Sequence, residues 1–169
     1  MNLSRLPLIP SQEKVLFDTN TFIYSALDHP VYGESCTQAF HRVESGVLEG
    51  YVPPIVLTEL LHRLMIAEVI KKDCARNTKE VLKLLKEDKS IIPSLTICWD
   101  ALDRVFAAGF VVLEDRSGIF KDILVVSRRY SLLSNDACIA SFARAYGISN
   151  IATNDPDFEC VAWLTVWKP

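Results

Sequence analysis

The chain has 169 residues, 50% of them hydrophobic and 23% charged, which suits one domain that buries its core without disulfide or metal staples. Its 18 basic and 21 acidic side chains leave a formal net charge of -3. That excludes a protein that coats nucleic acid by bulk electrostatics, but not a nuclease whose metals neutralise phosphate locally.

Residues 1–13, interrupted by Pro7 and Pro10, read as a poorly ordered lead-in without signal-peptide character. Residues 14–169 read as a single domain. Short apolar, β-branched runs at 14–17, 50–52, 110–113, 149–152 and 164–167 predict strands buried on both faces, as in a parallel sheet. Helical patterns lie between them. The first follows Asp18, and the next runs from Cys36 to about Glu44. Pro54 then opens a helix striped by Leu57, Leu60, Leu61 and Leu64. An amphipathic helix at 77–88 and another at 99–108 exceed what one crossover needs, so a helical projection is expected over about 73–108. Helices at 118–130 and from Ser134 or Asn135 to Gly147 complete the chain, with Ser134 and Asn135 as candidate caps. Alternating strands and helices predict a three-layer α/β fold. Cys36, Cys74, Cys98, Cys138 and Cys160 form no CxxC pair and read as small apolar core residues in a reducing cytoplasm. No apolar run is long enough to span a bilayer.

In a parallel sheet the C-terminal ends of the strands and the N-termini of the crossover helices share one edge, where ligands bind. Asp18 ends the first strand, Glu59 lies in the second turn of the helix begun by Pro54, Asp136 lies in the first turn of the last helix, and Asp155 follows the fourth strand. Each has a bland reading. Asp18 can cap a helix, Asp136 suits a helix macrodipole, and Asp155 before Pro156 starts a turn. Glu59 interrupts an apolar stretch, where an acid is costly unless paired. Convergence on one edge is what favours function: packed carboxylates repel unless a cation sits among them, and oxygen donors suit Mg²⁺ or Mn²⁺.

The runs Leu16-Phe17-Asp18-Thr19-Asn20, Val56-Leu57-Thr58-Glu59-Leu60, Leu133-Ser134-Asn135-Asp136-Ala137 and Ala152-Thr153-Asn154-Asp155-Pro156-Asp157-Phe158 occur in the order and spacing of a known family. The chain resembles PIN-domain ribonucleases, and among them the VapC-like toxins of toxin–antitoxin pairs. The resemblance implies a parallel five-stranded sheet in the order 3-2-1-4-5 and Mg²⁺- or Mn²⁺-dependent cleavage of RNA by one or two ions. It also implies a homodimer and an antitoxin protein as partner. The family's acidic quartet falls on Asp18, Glu59, Asp136 and Asp155. Thr19, Asn20 and Thr153 fall at supporting polar positions, and Asp157 at a fifth acid or an outer ligand position. Glu114 and Asp115 would then end an edge strand away from the site.

Asp18, Asp136 and Asp155 are expected to hold one ion, with Glu59 completing a second site or orienting water. Lys72 and Arg129 are candidates for RNA phosphate contact, against the ordinary reading of short basic pairs as solvated. His29, His41 and His62 show no zinc spacing, and Trp99, Trp163 and Trp167 read as core or interface residues. A haloacid-dehalogenase-type phosphotransferase would need an acid where Asn20 stands, and the paired acids of a receiver domain are not evident. The non-enzymatic rival is a PIN-fold scaffold that binds RNA or protein without cutting.

Overall fold

The computed structural model describes residues 5–169. Five parallel strands, β1 (Lys14–Phe17), β2 (Glu49–Val52), β3 (Val111–Val112), β4 (Asn150–Ala152) and β5 (Thr165–Trp167), form one sheet in the order β3-β2-β1-β4-β5. This is the order expected. Among the described residues eight helices connect them: α1 (Thr19–Ala26), α2 (Gly33–Glu44), α3 (Pro54–Lys71), α4 (Thr78–Glu87), α5 (Ile91–Ser94), α6 (Ile97–Ala107), α7 (Ile119–Tyr130) and α8 (Ser134–Ala145). None is long and apolar enough to cross a membrane.

The central strand β1 is flanked on both sides, pairing Leu16 with Tyr51 of β2 and with Ile151 of β4. Val15, Leu16 and Phe17 are accordingly buried, which is why this strand reads as an unbroken apolar run. Phe17 packs edge-on against Phe110 with ring centres 5.1 Å apart, and Phe22 and Phe40 lie against the same rings. Gly50 lets β2 approach this cluster. A Cβ there would sit 2.7 Å from Val43 Cγ1 and 2.8 Å from the Phe110 ring.

The lead-in departs from expectation. Over residues 5–13 it is packed: Leu6 and Ile9 are buried, and Leu6 N donates to Lys168 O at 2.7 Å. The Arg42 guanidinium donates to the carbonyls of Pro7 and Ile9. Residues 1–4 of that expected lead-in lie outside the described residues. The pattern missed it because two anchors separated by prolines carry no periodicity.

Nor is the stretch 73–108 a projection throughout. Cys98 and Val105 of α6 are buried in the core, as is Val81 of α4. The link is Glu68, which continues the i, i+4 ridge Val56, Leu60, Leu64 and is fully buried. Its carboxylate accepts from the backbone N–H groups of Thr96 and Ile97, each at 2.8 Å, and pairs with Lys72 Nζ at 2.7 Å. A side chain of α3 thus satisfies the N-terminus of α6, which lacks a side-chain cap from its own N-cap residue. Burial pushes the Glu68 carboxyl up, but the hydrogen bonds from Lys72, Thr96 and Ile97 outweigh it and hold the group below its ordinary range.

The cysteines divide. Cys36 and Cys98 are buried, Cys138 is half-buried, and Cys74 and Cys160 are exposed, so the core reading fails for the last two. The three tryptophans are partly buried and pack on the core.

Candidate active site

The C-terminal ends of β1 and β4 meet the N-termini of α1, α3 and α8 at a cleft of about 560 Å³. Asp18, Glu59, Asp136 and Asp155 all line it. At two of them the structural reading holds. Asp18 is the N-cap of α1 and accepts from Thr19 N at 2.6 Å, while Asp155 caps a short 3₁₀ turn and accepts from Asp157 N at 2.9 Å.

Asp18 is the most constrained. Its Oδ2 accepts from Thr153 Oγ1 at 2.6 Å and from Asn20 Nδ2 at 2.5 Å. Asn20 also donates to Thr153 Oγ1 and accepts from Asn154 N, tying the end of β1 to the loop after β4. Burial pushes the Asp18 carboxyl from 3.8 up to about 6. The hydrogen bonds from Thr153 and Thr19 oppose this, and the charges of Glu59 and Asp136 reinforce it. Asp136 is likewise pushed up to about 6, first by burial and then by Asp155, Asp157 and Glu59. Its carboxylate accepts no hydrogen bond from any described residue. Glu59 is held on both oxygens, by Thr19 Oγ1 at 3.2 Å and by Arg63 Nε at 2.9 Å.

Among the described residues no three Asp, Glu, His or Cys side chains close into a ready cluster. The protein itself occupies most of the carboxylate oxygens. The donor set nevertheless fits a hard divalent cation: it is all oxygen, it is short of positive charge, and Asp136 has lone pairs to offer.

Other expected site residues fall into place or away from it. Thr19 and Asn20 line the cleft, and Thr153 lies beneath it, fully buried against Asp18. Asp157 stands near enough to raise Asp136 but is not among the lining residues. Lys72 belongs to the Glu68 pair and also donates to Ser94 O, so it is a structural residue outside the cleft. Arg129 lies in the last turn of α7, near the Tyr130 ring, and does not line the cleft. Ser134 and Asn135 are not caps. They occupy the first turn of α8 and face the cleft, the N-cap being Leu133. Of the histidines, His41 and His62 are exposed and His29 packs on Tyr24 and Tyr32.

Arg63, Tyr24, Asn154 and Leu133 line the cleft and were not singled out from the sequence. Arg63 carried a readable signal, the Glu59–Arg63 spacing of four on one helix.

The PIN domain family model matches residues 15–164. The chain belongs to the PIN-domain family. Two relatives of this PIN domain come from Methanocaldococcus jannaschii. Ribonuclease VapC2 is 28% identical over 155 residues, covering 92% of this chain and 93% of the relative. Ribonuclease VapC6 is 24% identical over 118 residues, covering 69% and 74%. Among solved structures, VapBC2 from Rickettsia felis bound to a promoter DNA fragment superposes with a TM-score of 0.58 at 16% identity. It covers 92% of this chain and 98% of that one. A toxin–antitoxin complex from Klebsiella pneumoniae gives 0.53 at 15% identity, covering 89% and 95%. These likenesses establish the fold.

Proposed function

We propose that this PIN domain is a metal-dependent endoribonuclease that hydrolyses RNA phosphodiester bonds, acting as the toxin of a toxin–antitoxin pair. The observation that carries the reading is a cleft lined by four carboxylates from four separate segments, two of them held at about 6 by burial and mutual repulsion. The two ribonuclease relatives support the chemistry.

Asp18, Asp136 and Asp155 would hold Mg²⁺ or Mn²⁺, with Asp157 close behind. The ion supplies charge neutralisation at the phosphoryl oxygens and makes water a stronger nucleophile at neutral pH. The chain's own part is positioning. Asn20 and Thr153 fix the Asp18 carboxylate, and Thr19 fixes Glu59. Held this way, Glu59 orients the attacking water and accepts its proton.

A protein antitoxin and a second copy of the chain are the proposed partners. A separate, largely apolar cavity of about 470 Å³, whose lining includes Phe22, Phe40, Leu60, Val105 and Phe110, suits apolar side chains of a protein better than a nucleic acid. Exposed Phe120, Leu124 and Val125 on α7 favour self-association.

The deciding experiment is cleavage of a mixed RNA pool with and without EDTA. Wild type should cut only with Mg²⁺ or Mn²⁺, and Asp18→Asn should not cut. Cleavage that persists in EDTA, or equal cleavage by both proteins, would refute the reading. A non-cutting scaffold would also show no stabilisation by Mn²⁺.

A further inference from the structure

The cleft lining contains one basic side chain among the described residues, Arg63. It lies one turn beyond Glu59 on α3, and a helical side chain leans back toward the helix N-terminus, here toward the acids. Its Nε holds Glu59 Oε1 at 2.9 Å, while Thr19 Oγ1 holds the other Glu59 oxygen. The carboxylate is therefore held on both oxygens, and it orients the guanidinium in turn. Glu59 is its one hydrogen-bond or ion-pair partner among the described residues, and the side chain is 58% exposed. An exposed helical i, i+4 pair is weak, so it orients the arginine without sequestering it.

We propose that Arg63 is a phosphate-binding residue of the substrate cleft, gripping a backbone phosphate of a single RNA strand through Nη1 and Nη2 while Glu59 holds Nε. The inference rests on the ribonuclease reading and deepens it. A polyanion entering a cleft of four carboxylates meets repulsion that one divalent ion offsets only by half. A planar guanidinium with two parallel donors is the side chain best matched to phosphate oxygens. Glu59 thereby positions the arginine as well as the water.

The test is fluorescence anisotropy of a labelled mixed-sequence single-stranded RNA in Ca²⁺, an oxygen-liganded dication that offsets the carboxylate charge, with the RNA checked by gel to be intact. Wild type, Arg63→Gln, Arg63→Lys and the control Lys79→Gln, which removes an exposed charge on α4, are titrated across several salt concentrations. Melting with and without Mn²⁺ is followed in parallel. Arg63→Gln should bind about tenfold more weakly, consistent with loss of a charged hydrogen-bonding group. Its log Kd against log salt should flatten by about 0.7, the value for one phosphate contact on a single strand. Arg63→Lys should keep the salt slope and lose about threefold, because it retains the charge and loses the fork. Lys79→Gln should match wild type, and all four should keep the Mn²⁺ shift. Wild-type affinity in Arg63→Gln, an equal loss in Lys79→Gln, or no RNA binding by wild type overturns the proposal. So does a loss seen only together with a loss of the Mn²⁺ shift. Failure of the ribonuclease reading looks different: wild type neither cuts RNA nor gains stability from Mn²⁺, while its Arg63-dependent binding persists.

Discussion

Replacing Asp18 with Asn should make the metal-free protein more stable at neutral pH. Holding this carboxyl at about 6 rather than 3.8 costs the folded state about 3 kcal/mol once the pH exceeds both values. Asparagine removes that cost while keeping the shape and the bond from Thr19 N. Its amide would face Thr153 Oγ1 and Asn20 Nδ2, where Oδ2 now accepts from both; the Thr153 hydroxyl can turn to accept from the amide, so the lost acceptor for Asn20 is the main cost, about 1–2 kcal/mol. The net gain is about 1–2 kcal/mol, or roughly 3–6 °C in Tm for a domain of this size. The sign follows from the proton balance. Asp18 has its raised pKa in the folded state, so its ionisation penalty is absent below 3.8, grows as pH rises toward 6 and is complete above it. The assay is thermal melting of both proteins in EDTA from pH 4 to 8. The Asp18→Asn protein should melt lower than wild type near pH 4 and higher at pH 8, and millimolar Mn²⁺ at pH 8 should reverse the order by stabilising wild type. Melting curves that stay parallel across the range would refute the argument, because the gain would then not come from a buried charge.

Stabilisation of wild type by Mn²⁺ should fade as pH falls through about 6, where protons compete for Asp18 and Asp136; a shift constant from pH 8 to 5 in calorimetry would count against these ligands. Glu68→Ala should cost about 3 kcal/mol in urea melts by leaving the α6 N-terminus and Lys72 unpaired, with Glu68→Gln milder. Because the Glu68 carboxyl is held below its ordinary range, its contribution is present above pH 4.5 and disappears as acid protonates the folded state. If α7 mediates the proposed self-association, Leu124→Glu should be monomeric by light scattering where wild type is dimeric, with little change in the monomer's melting curve, since this residue is 48% exposed.

The parallel sheet and the acidic edge were legible because both rest on strong local signals. Val15 to Phe17 reads as buried on both faces since it is the central strand, and Asp18 follows at once. The sequence predicts a third strand of four residues, 110–113. Only Val111 and Val112 pair, while Phe110 and Leu113 turn into the core on either side. Glu68 was overlooked because composition treats an acid as solvated. What betrays it is phase, since it falls at the next position of the ridge Val56, Leu60, Leu64. Its partners, Thr96 and Ile97, lie far along the chain, so no local pattern could supply them. Ser134 and Asn135 were misread for the opposite reason. Their residue types suit a cap, but the cap position falls one residue earlier, at Leu133, and leaves both facing the cleft.

The pairing of Leu6 N with Lys168 O, next to the parallel bridge between Arg5 and Lys168, bears on where this domain physically ends. It ties residues 5 and 6 to the residue that follows β5, while the opposite border of the sheet is a strand of only two residues. An edge strand that short offers little backbone for strand-to-strand addition. The span recognised by the family, residues 15–164, omits Leu6, Ile9 and the whole of β5. A fragment trimmed to that span would expose Ile151 and its neighbours on β4 as a bare template and should aggregate, although every carboxylate of the site is retained.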